Sequence, residues 1–232
     1  MEECISVFDM LKIGVGPSSS HTLGPWRAAE RFLEELRQDF DLNSITRVKV
    51  DLYGSLSLTG KGHATDLAVM LGLSGQDPEY IPVQDIDGII KAIENNHLIQ
   101  LGNEKALPFY ILQDIVFHKE FLPFHANGLT FTAFFENETE YASTFYSIGG
   151  GFVVKEERSN AKKKIAIKCA FPFPINNAAE LLDYTQKENK SISEIVYANE
   201  ISMRPEAEVH SELLRIWHTM LECMYIGCHS EG

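Results

Sequence analysis

Between Gly128 and Val154 the apolar residues fall at every second position. Leu129, Phe131, Ala133 and Phe135 share one face, and the pattern continues through Tyr141 to Ser147 and Phe152 to Val154. A period of two sends successive side chains to opposite faces, so this stretch predicts an antiparallel meander. Upstream the period alternates. Leu23 to Gln38 sets Trp26, Ala29, Phe32, Leu33 and Leu36 at helical spacing, with Arg27, Glu30, Glu34 and Arg37 between them. Ile45 to Tyr53 returns to strand spacing, with Val48, Val50 and Leu52 opposite Lys49, Asp51 and Tyr53. Helices are predicted at Asp66 to Leu73 and Val83 to Asn95, and a short strand at Leu98 to Leu101. Beyond the meander, Ile165 to Ala170 reads as one more strand, entered from a lysine-rich loop at Lys162 to Lys164. Asn177 caps a helix to about Lys187, Ser191 and Glu194 form a capping-box pattern, and Pro205 to Ile226 is a long final helix. This order predicts an α+β domain over residues 1–175, a layered sheet with helices on one face, followed by a helical C-terminal arm over residues 176–232.

Composition narrows the function classes. A 232-residue chain that is 44% hydrophobic can bury a full core. Its formal charge of -13, from 33 acids against 20 bases, repels nucleic acid and anionic membrane surfaces. No apolar run approaches a membrane span, and Met1 to Leu11 lacks the basic start and long apolar stretch of a signal peptide, so a cytoplasmic protein is expected. Cys4, Cys169, Cys223 and Cys228 are scattered without a disulfide framework and are expected to be reduced.

Chemistry concentrates in a few segments. Gly16 to Thr22 (GPSSSHT) gathers Ser18, Ser19, Ser20, His21 and Thr22 directly before the first long helix. Hydroxyls at a helix start, where amides lack internal partners, make a seat for a carboxylate or phosphate, and a histidine adds a proton carrier. The plain alternative is an over-supplied N-cap, for which one hydroxyl suffices. Gly54 to Asp66 (GSLSLTGKGHATD) invites comparison with a phosphate-binding loop. It fails that test, because Gly54 to Gly60 is one residue too long and Gly62 stands where the magnesium-binding hydroxyl belongs. What remains is a strand-to-helix turn presenting Lys61, His63, Thr65 and Asp66, or a His63 that only caps the next helix. His125 sits in PFHANG, where a loop enters the meander, and Tyr146 to Gly151 (YSIGGG) sets three glycines in strand-like sequence, where they weaken a sheet unless something must come close. His97, His118, His210, His218 and His229 lack zinc-type spacing and read as surface or packing residues. Cys223 and Cys228 cannot hold a cluster unaided.

Taken in order, SVFDMLKIGVGPSSSHTLGP, VKVDLYGSLSLTGKGHATD, HANGLTF and YSIGGGF resemble the bacterial iron-sulfur L-serine dehydratases over nearly the whole chain, in their N-terminal, β-type portion. The resemblance implies a fold related to the allosteric substrate-binding domain of some phosphoglycerate dehydrogenases. It also implies a role in amino-acid catabolism and gluconeogenesis: elimination of water from L-serine, yielding pyruvate and ammonia. It implies a [4Fe-4S] cluster whose ligands come from a following, mostly helical α-type portion, so that this chain alone supplies no metal ligand and is inactive. In such an enzyme a cluster iron acts as Lewis acid on the substrate while a positioned base removes the α proton. Carried onto this sequence, Ser18, Ser19, Ser20, Thr22 and Lys61 would bind substrate and His21, His63 and His125 would be catalytic, with the choice of base left open among the three. A homo-oligomer is expected, with L-serine and the α-type portion as partners and neither nucleic acid nor membrane among them. Two other readings stay open at this point: a serine-sensing regulatory module without catalysis, and a truncated, inactive product.

Overall fold

In the computed structural model, which describes residues 5–16, 18–156 and 171–230, Ser6 opens a first short helix, α1 (Val7–Met10), with a capping box completed by Asp9. The strong apolar stripe read between Leu23 and Gln38 forms α2 (Leu23–Asp39), burying Trp26, Ala28, Ala29, Phe32, Leu33 and Leu36. β1 (Ile45–Leu52) follows, then the short α3 (Gly54–Leu58), a 3-10 turn at Gly60–His63, α4 (Thr65–Leu73) and α5 (Val83–Asn96). β2 (Leu98–Leu101) and β3 (Lys105–Pro108) form a separate two-stranded ribbon. After α6 (Ile111–Asp114) come β4 (Ile115–Phe117), β5 (Gly128–Phe135), β6 (Glu140–Gly149) and β7 (Phe152–Lys155). The helices α7 (Ala178–Glu188), α8 (Ile192–Ile201) and α9 (Glu206–His229) complete the described residues.

Five strands form one sheet in the order β4-β1-β5-β6-β7. The meander is antiparallel as its period requires, β1 joins it antiparallel to β5, and β4 pairs parallel to β1. A three-residue strand carries no readable period, which is why β4 leaves no trace in the sequence pattern. α2 packs across β5, β6 and β7 and against α4. Phe32 from the helix stacks on Phe131 of the sheet at 5.2 Å between ring centroids. Each such side chain, taken fully from water, contributes about 1.5–3 kcal/mol, so this interface is the main core of the unit. The fold is mixed α+β.

One expectation changes. Gly149 ends β6, and Gly150 and Gly151 turn the chain into β7, and all three have positive φ (98°, 60° and 77°). A turn of that shape selects glycine by itself. The strand expected at Ile165 to Ala170, its lysine-rich loop at Lys162 to Lys164, and residues Cys4, Pro17 and Cys169 lie outside the described residues.

The chain divides into two compact units, residues 14–160 and a second made of residues 1–13 with residues 161–232. In the second, both predicted caps form, Asn177 on α7 and the Ser191–Glu194 box on α8. The buried Glu200 carboxylate accepts hydrogen bonds from Ser6 Oγ and the Val7 amide, each at 2.7 Å, and from Arg204 Nη1 at 3.0 Å. That network fastens the N-terminal segment to α8, because a buried carboxylate is tolerated only with its oxygens satisfied. Among the described residues no helix is long and apolar enough to cross a membrane.

Candidate active site

The serine run winds into a turn of its own before α2 begins. Ser18 O accepts the amides of His21 and Thr22, and Ser19 O accepts that of Gly24. The seat of unpaired amides expected at this helix start is therefore largely closed by the chain's own carbonyls. Capping does not explain the hydroxyls either, since the side chain of the N-cap residue, Thr22, makes no capping bond. Thr22 is buried and donates its hydroxyl to Ser18 O, holding the turn from inside. Ser19 is exposed, and Ser18 and Ser20 are partly so, 3.3 Å apart at their hydroxyl oxygens.

His21 is the centre of the arrangement. Its Nδ1 shares a hydrogen bond with Ser20 Oγ at 2.9 Å and its Nε2 with Ser55 Oγ at 3.0 Å. The His63 ring lies 5.1 Å away between centroids, tilted by 54°. Burial holds the His21 imidazolium form down, the neighbouring His63 adds to this, and the Ser55 backbone, not its hydroxyl, opposes both, with a net lowering from the ordinary histidine value. A neutral imidazole with one N–H and one lone pair is the state fitted to take up a proton near neutral pH.

His63 closes the 3-10 turn after α3 and does not cap the next helix, whose N-cap is Ala64 in the left-handed region at φ 56°. Thr65, expected to be presented to a ligand, is instead buried and donates to His21 O at 2.8 Å, so it ties the two turns together. Asp66 Oδ1 accepts the Leu67 amide. The Lys61 side chain lies outside the description.

A third loop is bonded to the same place. The Ser55 amide donates to Ala126 O at 2.9 Å, directly beside His125, and a Cβ on Gly54 (φ 52°) would stand 2.3 Å from that carbonyl. His125 Nδ1 accepts the Asn127 amide at 3.1 Å, which places this ring's proton on Nε2 when it is neutral. Asn127 exchanges hydrogen bonds with the backbone of Ser147, and the fully buried Ser147 hydroxyl donates to Ser20 O at 2.7 Å. Gly24 is required opposite it, because a Cβ there would lie 1.9 Å from Ser147 Oγ.

The structure thus brings His21 and His63 together with Ser20 and Ser55, and links the loop of His125 to them through the Ser55 backbone. Sequence reasoning missed Ser55, Asn127 and Ser147. Only Ser55 left a signal, its place beside a glycine in the same segment as His63. Among the described residues no group of three or more His, Cys, Asp or Glu can hold a metal ion. Cys223 and Cys228 are exposed on α9, and two thiols five residues apart do not fit a [4Fe-4S] cluster.

Comparison with known proteins gives this cluster of hydroxyls and imidazoles a context. Residues 6–158, which carry every site residue named above, match the family described as serine dehydratase beta chain. The L-serine dehydratase of Haemophilus influenzae is 39% identical over 230 residues, covering 98% of this chain and 50% of that protein. L-serine dehydratase 1 of Escherichia coli is 40% identical over 229 residues, with the same coverage of 98% and 50%. The L-serine dehydratase of Streptomyces coelicolor is 40% identical over 230 residues, again 98% of this chain and 50% of its own length. The chain spans about half the length of the curated relatives it matches. With the family match covering most of the chain and this degree of identity running its length, the chain belongs to the serine dehydratase beta chain family.

Proposed function

We propose that this chain is the β-type component of an L-serine dehydratase, an L-serine ammonia-lyase that works when joined to an α-type portion. The observation that carries the reading is the His21–His63 pair, 5.1 Å apart, with His21 bonded to the hydroxyls of Ser20 and Ser55, in a chain about 40% identical to L-serine dehydratases. The reaction needs a base for the α proton and a route by which the β hydroxyl leaves as water. Electrons from the broken Cα–H bond form the Cα–Cβ double bond as the C–O bond breaks. The aminoacrylate product then tautomerises and is hydrolysed to pyruvate and ammonia.

In this reading His21, His63 and His125 supply proton transfer. Ser18, Ser19 and Ser20 face L-serine with Lys61, while Thr22 supports their turn. A [4Fe-4S] cluster belongs to the α-type portion, the described residues of this chain taking no part in holding it. Residues 1–175 are the β-type domain, related to the allosteric substrate-binding domain, and residues 176–232 lead toward the α-type portion in a cytoplasmic homo-oligomer.

The test is reconstitution. Co-expressed anaerobically with an α-type portion, the chain is expected to convert L-serine to pyruvate. A complex with its cluster fully formed that yields no pyruvate contradicts the reading.

A further inference from the structure

Ser55 is held more firmly than a surface hydroxyl needs to be. Its amide donates to Ala126 O at 2.9 Å, its carbonyl accepts Thr59 N at 3.1 Å and Thr59 Oγ1 at 2.9 Å, and the preceding Gly54 has the left-handed φ of 52° that starts α3 at this point. A side chain rooted in a backbone bonded on both sides loses little further freedom when it makes a directed bond. That bond goes to His21 Nε2, 3.0 Å away.

The opposite ring nitrogen meets Ser20 Oγ at 2.9 Å, and Ser20 Oγ is 3.3 Å from Ser18 Oγ. A neutral imidazole has one N–H and one lone pair, so one of the two hydroxyls donates to the ring and the other accepts from it. If the ring takes a proton at one nitrogen and releases the proton held on the other, it ends neutral with its tautomer exchanged. Charge and atoms balance when the proton taken up is the one lost from the substrate's Cα and the proton released completes the departing water.

We propose that Ser55 is a positioning residue of this site, completing a Ser20–His21–Ser55 path along which a proton crosses the His21 imidazole during the elimination; the proposal rests on the dehydratase reading above. Ser55 fixes the ring plane and gives Nε2 a partner in either tautomer.

The experiment has two readouts. In the first, the His21 ring is titrated by NMR in the full chain, its resonance assigned as the one lost in His21→Gln. Removing the hydroxyl that meets Nε2 is expected to move the His21 titration in Ser55→Ala away from that of wild type, while Ser55→Thr, which keeps the hydroxyl, titrates as wild type does. In the second, steady-state kinetics on the enzyme reconstituted with the α-type portion is expected to show kcat down about 10²-fold in Ser55→Ala with KM nearly unchanged, the size of loss that a misplaced catalytic group causes, and recovery in Ser55→Thr. An unmoved His21 titration in a folded Ser55→Ala chain overturns the proposal. So does an unchanged kcat. Should Ser55→Ala not fold, Ser55→Cys, which keeps the size but weakens the hydrogen bond, carries the same two readouts. A wild-type complex that makes no pyruvate overturns the dehydratase reading, whereas the hold of Ser55 on His21 is judged by the titration.

Discussion

Two histidines in the larger unit show how partners decide what an imidazole does. His21 lies between two serine hydroxyls with a second imidazole beside it. His118 donates from Nε2 to the buried carboxylate of Asp51 at 2.6 Å, where Lys49 Nζ also binds at 2.7 Å, and its ring stacks on Tyr53 at 4.6 Å. Hydroxyls can reverse their roles as donor and acceptor, so His21 is able to change protonation without losing its partners. A carboxylate only accepts and an ammonium only donates, so His118 is locked in one arrangement. The first environment suits proton transfer and the second suits fastening the chain after β4 to β1. His118 reads in the sequence as a surface or packing residue, and the acid it bonds to is invisible there because Asp51 precedes it by 67 residues.

The comparison can be broken by substitution. The largest effect is expected at His21: His21→Ala in the reconstituted enzyme should lower kcat by about 10²–10⁴-fold, the range of a lost general acid–base group, with little change in Tm because the ring is only partly buried. Pyruvate formation at the wild-type rate would remove His21 from the mechanism. Next comes the frame behind it. Gly24→Ala drives a methyl into Ser147 Oγ and should cost about 1–3 kcal/mol by overpacking, measured by urea unfolding, together with a drop in kcat as the serine turn shifts. On the other side, Asp51→Asn should cost about 1 kcal/mol, the worth of a partly exposed ion pair with its hydrogen bond, and leave kcat within about twofold. A large loss of activity there would erase the distinction drawn between the two histidines.

The smallest effect is on the pH dependence of stability. His21 binds its proton more weakly in the folded chain than in the unfolded one, so its contribution is fully present above the ordinary histidine value of 6.5. It is lost as acidification passes through the lowered folded value, where the unfolded chain holds the extra proton. Urea unfolding across this window should be steeper in wild type than in His21→Gln. Equal slopes would mean that the His21 proton is not coupled to folding.

Long periodic segments were legible in the sequence because burial of one face imposes the period. α2 and β1 begin at the predicted residues, and β2 matches at both ends. Caps were legible for the same local reason: Asn177 and Ser191 bond amides three residues away. The site was legible in its histidines and serines but not in its assembly. Ser55 and His21 are 34 residues apart, and Ser147 and Ser20 are separated by 127, so no spacing rule connects them. The hydroxyls of the GPSSSHT run were expected to serve an open helix end, and the chain's own carbonyls fill most of it. The three glycines read in strand-like sequence as a sign of close approach instead end β6 and turn into β7 with positive φ, because sequence alone does not separate a positive φ from a close approach.

The central claim is that His21 and His63, 5.1 Å apart, serve proton transfer in one site. A double-mutant cycle on kcat/KM in the reconstituted enzyme tests it most directly. If the two rings share a task, His21→Ala/His63→Ala should be little worse than the more damaging single variant, as for residues that act together. Losses that multiply as independent effects would contradict the account.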